Sequence, residues 1–491
     1  MEMKPQYKYG FAHLINNKSE HFVPRLKVKH HSMTGDDFMT EVLYRSSWSM
    51  PRHPYNHEVL KHETPSWQLE KPIGEIIKSK PLDETPLILV DTTVELNKLI
   101  EVLNKSREFA VDLEFHNLRS FLGITCLIQI STRETDYIID PFSIWEHLHA
   151  LNEPFSNPNI RKVFHGAHSD LMCLQRDFGI YTVNLLDTKE LMEEMQMPKP
   201  SLQTLVKDAC GVWIEKESKT ADWRHRPLDA HLLKYARSDT HYLLESVDWL
   251  SRGVEEDFCE FMTRVYTRCR FLCQQVFMQP IFQPFGYRRL LSSNFVSSQI
   301  STMKKLWAYR DTLARDEDER TEFLIPDRVL TQITKTMPAD KSSLRKCFSS
   351  YPINKVVQSR LDEILEIIEG ERTEMSIQGN DDSTSQKPTV STVLETFKQK
   401  KQKQANLEPV SSTSQTGEPS TVHNFDVPAL VRSSNNLTLE DQLKRIDLIH
   451  ETEQSQDETN PSTVEVNRSQ PPAQKKKNRG KKKKVVYDPE W

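Results

Sequence analysis

Residues 109–116 read FAVDLEFH. Because side chains alternate along a strand, Phe109, Val111, Leu113 and Phe115 point one way, and Asp112 and Glu114 point together the other way. Acids are poor strand formers, and two neighbouring carboxylates in a half-buried strand repel unless something cationic lies between them. Working outward, LILV near residue 87 is a short apolar strand, and TTVELNKLIEVLNK has helical spacing behind a Thr cap. FAVDLEF, TCLIQIST and TDYIIDPF follow as three successive strands. KVFHGA is another, running into a helix over HSDLMCLQRDFGI that Gly179 ends. VNLLDT adds a strand, and helices continue through YARSDTHYLLESVDWL. The pattern predicts an α/β domain over 84–250.

The flanks differ in kind. Residues 1–83, rich in His, Pro, Lys and aromatics without sustained periodicity, predict an extended arm lying on other structure. A helical connector is expected over 251–299, and amphipathic helices over 300–372 make a small all-α bundle. Its acid-rich DEDER stretch points to domain docking and substrate access rather than to a basic nucleic-acid face. Past Gly370 the composition turns to Ser, Thr, Gln, Asn, Glu and Lys, so 373–491 is expected to be a disordered tail. One island in it, 424–450, carries enough apolar residues to fold onto a partner, with a chance cluster as the alternative. The lysine run Lys475–Lys484 suits a nuclear localisation signal and attracts RNA electrostatically; a solvated charge run is the alternative.

The net charge of −5 announces no global attraction to nucleic acid. Seven cysteines without a CxxC pair fit reduced thiols and give no support for structural zinc. MEMKPQYKYGFAHL lacks the apolar core of a signal peptide, and no apolar run approaches the roughly 20 residues that span a bilayer. A soluble intracellular protein without a membrane partner is expected.

Two more acids stand where they can join the strand pair. Asp170 begins the helix after KVFHGA, and Asp239 lies on the YARSDTHY helix with Tyr235 four residues earlier on the same face. Four hard oxygen donors suit Mg²⁺ or Mn²⁺ rather than zinc, and two such ions would turn the repulsion at Asp112 and Glu114 into attraction. The ordinary readings are a helix N-cap for Asp170, routine packing for Tyr235 and a solvent-facing strand pair. His165, His168 and Asp170 also spell H-x-x-H-x-D, with Asp239 and His241 downstream, so a metal phosphohydrolase of the HD type is an alternative. Its ligands sit on helices, whereas His165 ends a strand; His165 is expected to pack beside the site and His168 to be exposed. Leu113, Phe115, His116 and His165 are candidate substrate contacts, with core packing the commoner fate of Leu113 and Phe115. Arg224 and Arg226 offer a phosphate contact or an ion pair within the domain.

FAVDLEFHNLRSFLGITCLIQIST, KVFHGAHSDLMCLQRDFGIYTVNLLDT, ADWRHRPL and YARSDTHYLL resemble the exonuclease motifs of the DEDDy superfamily, in particular the RNase D-like exoribonucleases of the nuclear exosome. LWAYRDTLARDEDERTEFLIPDRVLTQITKTMP is similar to an HRDC domain, and the resemblance covers roughly 60–370. It implies an RNase H-like domain with a mixed sheet, then an HRDC bundle. Asp112 would bridge two Mg²⁺ ions (Mn²⁺ as the substitute), Glu114 and Asp239 complete one site, Asp170 support the other, and Tyr235 orient the attacking water. One nucleoside 5'-monophosphate would leave per cycle from the 3' end of single-stranded RNA. The resemblance further implies exosome core subunits as partners, a cofactor protein meeting the arm or tail, work in rRNA and snoRNA 3' processing and RNA surveillance, and a nuclear, including nucleolar, location. The arm is too short for the helical domain that precedes the nuclease in larger members, which puts the cofactor partnership in doubt. The non-enzymatic alternative is a catalytically silent RNA-binding scaffold of the exosome.

Overall fold

Six strands make one sheet in the order β1-β4-β3-β2-β5-β6: β1 Leu87–Val90, β2 Glu108–His116, β3 Ile124–Ser131, β4 Asp136–Ile139, β5 Arg161–Phe164 and β6 Leu185–Asp187. β3 runs antiparallel to β2 and β4, and the other pairings are parallel, so the sheet is mixed. The computed structural model describes residues 3–33, 53–214 and 221–378. The 424–450 island, Lys475–Lys484 and residues 379–491 of the expected 373–491 tail lie outside the described residues, whereas 373–378 continue the helix that begins at Leu361. No described helix is long and apolar enough to cross a membrane.

Burial explains the strand sequences. β3 is buried at every position and reads as a near-continuous apolar run, as a strand covered on both faces must. Helix α1, Thr93–Lys105, starts where the Thr92 side chain accepts from the Glu95 N–H, and it buries Leu96, Leu99, Ile100 and Leu103. Helix α2, His168–Phe178, ends at Gly179 in the left-handed region, φ +66°. Only glycine fits there for a second reason: an added Cβ would lie 1.9 Å from the Arg25 carbonyl oxygen of the arm crossing above it. Helices α3 Thr188–Glu194, α4 Leu202–Cys210, α5 Ala230–His241 and α6 Leu243–Arg252 complete the expected α/β layer, with α5 lying across β2, β3 and β4.

Residues 251–299 do not form a single helical connector. Helix α7, Phe258–Cys273, buries Phe261, Met262, Val265, Tyr266, Cys269 and Cys273 in the same core as the sheet. Residues 274–296 are irregular apart from a turn at Gly286–Leu290. A second core joins α8 Ser297–Asp316, α9 Asp327–Thr336, α10 Lys341–Lys346 and α11 Leu361–Gln378.

Two buried acids fix this frame. At the head of β2, Glu108 accepts from Arg133 Nη2 at 2.6 Å and Arg161 Nε at 3.0 Å, and Arg133 also holds Asp248 of α6. Burial alone would raise the Glu108 carboxyl, but the two guanidiniums outweigh it and hold it below its ordinary range. Past the end of α8, Asp318 takes hydrogen bonds from Gln6 and Asn17 of the arm and from the Ser120 hydroxyl and Phe121 N–H of the β2–β3 connection. Its neighbour Glu319, 2% exposed, binds Arg119 at 2.6 Å and Lys4 at 3.0 Å. The acidic stretch of the bundle is therefore its docking point.

Asp318→Ala leaves four donors without their acceptor and should cost about 2–4 kcal/mol. In urea the bundle should then unfold ahead of the sheet domain; one unshifted transition would contradict this. Glu108→Gln gives a pH signature. A carboxyl held low when folded adds stability above its unfolded value, and that stability is lost as pH falls through the folded one. The deficit of Glu108→Gln against wild type should be full at pH 7 and shrink towards acid; a pH-independent deficit would refute the assignment.

Candidate functional site

Asp112 and Glu114 are half-buried in the centre of the sheet, on the face that α5 crosses. In register, Asp112 stands opposite Gln129 and Glu114 opposite Leu127. The ladder then slips: Phe115 faces Thr125, leaving Cys126 without an opposite number as a bulge. The simple alternation therefore breaks at Phe115. Leu113 is 4% exposed in the core, whereas Phe115 is 38% exposed at the rim. His116 is buried, and its Nε2 accepts the Arg119 N–H at 3.1 Å, so the ring proton sits on Nδ1, 3.5 Å from Asp222. Burial first, then the Arg224 and Arg119 charges against the opposing pull of Asp222, push the His116 imidazole down to about 4.

Asp239 comes from α5, whose C-terminal half is pinned to β4. The Asp136 carboxylate receives Arg237 Nε at 2.5 Å, His241 Nδ1 at 2.9 Å and the Ser131 hydroxyl at 2.7 Å. Thr240 closes the contact on Ser131 at 2.8 Å. Asp239 is thus held by anchors within two residues on either side.

Asp170 is the third residue of α2 and 6% exposed. Asp187, at the end of β6, steadies the turn before it by accepting from the Gly166 and Ala167 N–H groups at 2.8 Å while capping α3. Sequence reading missed Asp187, although Asp187-x-x-Glu190 is a helix-start signal of the capping kind. Burial, then the charges of Asp112 and Asp187, push the Asp170 carboxyl well above its ordinary range.

Ligand atoms of Asp112, Glu114 and Asp239 lie within 4.8 Å of one another. Tyr235 borders this group: burial, the negative charges of Asp239, Glu114 and Asp112, and a hydrogen bond with Asp239 all keep its phenol protonated. Among the described residues this metal-competent group contains no histidine. His165 instead meets the Thr188 hydroxyl at 2.9 Å, and His168 is exposed, so the HD-type reading finds no ligand set. Arg224 pairs with Asp222 at 2.6 Å and helps hold that carboxyl down at about 2. Arg226 is tied to Asp140 and to the carbonyls of Trp223 and Cys126. Three clustered carboxylates with a fourth beside them are acceptor-only hard oxygens, a donor set that fits a divalent cation.

A family model described as a 3'-5' exonuclease matches residues 87–255, and an HRDC domain model matches 299–368. The exosome complex component 10 homolog of Caenorhabditis elegans is 40% identical over 380 residues, covering 74% of this chain and 42% of that protein. The Homo sapiens exosome complex component 10 is 38% identical over 329 residues, covering 65% and 36%. The chain thus spans less than half the length of these curated relatives. The crystal structure of the catalytic core of RRP6 from Trypanosoma brucei superposes with a TM-score of 0.67 at 31% identity, covering 76% of this chain and 99% of that one.

Like charges packed this closely destabilise the fold without a cation. Asp239→Asn should therefore raise the melting temperature in EDTA, by about 0.5–2 kcal/mol of stability. Added Mg²⁺ should stabilise the wild type, by about 2.7 kcal/mol at a hundredfold excess over its Kd, and the variant far less. Differential scanning calorimetry with and without Mg²⁺ checks both; a variant that is less stable in EDTA and gains as much from Mg²⁺ would contradict the arrangement.

Proposed function

The chain belongs to the RRP6 family of 3'-5' exonucleases, and from that premise we propose that it hydrolyses single-stranded RNA from the 3' end, one nucleoside 5'-monophosphate at a time. The observation that carries the reading is the meeting of Asp112, Glu114 and Asp239 from two elements, with Asp170 and Tyr235 beside them. In this reading Asp112, Glu114 and Asp239 would hold one divalent cation and Asp170 would help Asp112 to hold a second, Mg²⁺ being the expected ion and Mn²⁺ its substitute. Such ions, when bound, lower the pKa of a water and neutralise charge building on the scissile phosphate.

The side chains divide the remaining work. A phenol kept protonated is no base at neutral pH, so the role proposed for Tyr235 is to turn the one O–H it shares with Asp239 onto the water and orient it. Water adds to phosphorus as the bond to the leaving 3' oxygen breaks, and the phosphate stays with the released nucleotide. Phe115, exposed at the rim, is the residue placed to stack on or wedge against a terminal base. Leu113 is withdrawn from that role by its burial, and His116 and Arg224 by their engagement with Arg119 and Asp222. A grip confined to the terminal bases needs no sequence readout. Exosome core subunits as partners, a cofactor protein on the arm or tail, rRNA and snoRNA 3' processing, RNA surveillance and a nuclear, including nucleolar, location extend this reading from the relatives' names.

5'-Labelled single-stranded RNA with Mg²⁺ should give a descending ladder. Asp239→Asn should lose at least about 10³-fold in rate, and Tyr235→Phe about 10²-fold, within the range of a positioned acid–base or orienting group. His165→Ala should stay within a few-fold of wild type. Endonucleolytic products, or equal rates for wild type and Asp239→Asn, would end the proposal.

A further inference from the structure

Gln129 lies in the middle of β3, 0% exposed, in a strand whose other central residues are apolar. Neither its Oε1 nor its Nε2 has a hydrogen-bond partner among the described residues. Leaving a buried amide unpaired costs about 1–3 kcal/mol, so a leucine or methionine there would be the more stable choice. Such a group calls for an explanation, which can be a water, an ion or a role at a nearby site.

Register says what lies next to it. Gln129 is directly opposite Asp112 on one side and Ile138 on the other. Opposite residues of an antiparallel pair share a face, with Cβ atoms roughly 4.5–5.5 Å apart. Ser131, two residues along β3 and hence on that same face, is bonded to Thr240 of α5. Gln129 is therefore on the face that α5 covers. One turn before Thr240 on α5 is Ala236, fully buried, a methyl with nothing polar to offer the amide. The amide thus stands beside the carboxylate of Asp112, beneath the helix that supplies Asp239.

We propose that Gln129 is a positioning residue for the carboxylate group. When Asp112 turns to meet a divalent cation, the Gln129 N–H donates, directly or through one water, to its carboxylate and fixes its orientation. Carboxylate ligands need such outer partners, and losing one weakens metal affinity about 10–100-fold. The inference rests on the proposed function, because it requires that the acids hold a divalent ion.

Its test is Mn²⁺ binding to the full chain, followed by the electron paramagnetic resonance of free Mn²⁺, which needs no turnover. Q129M keeps the volume and removes both polar atoms. It should melt at or above the wild-type temperature in EDTA, bind Mn²⁺ at least tenfold more weakly, and lower kcat with KM for RNA within about twofold. Q129N, with the amide drawn back by one methylene, should fall between the two. Mn²⁺ affinity of Q129M within twofold of wild type overturns the inference. So does a Q129M chain that unfolds or melts lower in EDTA, because the amide would then be serving the fold. The parent reading fails separately: a wild type that binds no Mn²⁺ sinks it, whereas a wild type that binds while Q129M binds equally sinks only the role of Gln129.

Discussion

Mutual repulsion among the carboxylates of Asp112, Glu114 and Asp239, gathered within 4.8 Å, is the constraint that the surrounding structure has to contain. Two unit charges about 5 Å apart near a protein surface repel by about 3 kcal/mol. Each acid is accordingly fixed through neighbours that are not part of the group. β2 is locked at its head by Glu108 between Arg133 and Arg161. Arg237 and His241, on either side of Asp239, clasp Asp136 on β4. The turn that leads to Asp170 is tied to Asp187. Paired charges and backbone bonds at a distance of a few residues thus hold in place the groups that would otherwise separate.

The same logic extends to the helical bundle. The β2–β3 connection begins where Phe115 and His116 leave the strand, and it supplies Arg119, Ser120 and Phe121 to the buried acids of the bundle. Phe121 also packs against the bundle's core, and Arg119 lies 4.0 Å from the centre of the Phe323 ring. The rim of the site is therefore braced from outside by a second domain. The arm is stapled to the same point through Lys4, Gln6 and Asn17. Docking sets the position of the β2–β3 connection beside the carboxylate group, which gives the acidic stretch of the bundle a structural use.

Much of this was legible in the chain. The six strands, the acid pair on one strand face and the helix acids follow from alternation, spacing and caps, because those signals are local. What stayed hidden depends on partners far away in sequence. The DEDER run pointed to docking but not to its partners: only the arm and the β2–β3 connection, some 200 to 300 residues distant, make Asp318 and Glu319 a buried clasp. Phe115 escaped the strand pattern because the extra residue, Cys126, lies on the neighbouring strand. For Arg224 and Arg226 the chain left a phosphate contact and an ion pair within the domain both open, and they pair with Asp222 and Asp140. Phe258–Cys273 reads as any amphipathic helix would, and which core it joins is set by β6.

Buried acids are settled in different ways in different parts of the fold. Glu108, Asp136 and Asp222 are each held low by cations or hydrogen bonds of their own, so their charges are settled within the fold. Around the carboxylate group the balance is different. Asp170 is pushed up by burial and by other acids, Tyr235 is hemmed in by three negative charges, and Gln129 is buried with neither amide atom paired. Acids set against acids on the face that α5 crosses are what a site for positive charge requires. At the bundle's docking point the acids meet donors instead: Asp318 takes hydrogen bonds from the arm and the β2–β3 connection, and Glu319 binds Arg119 and Lys4.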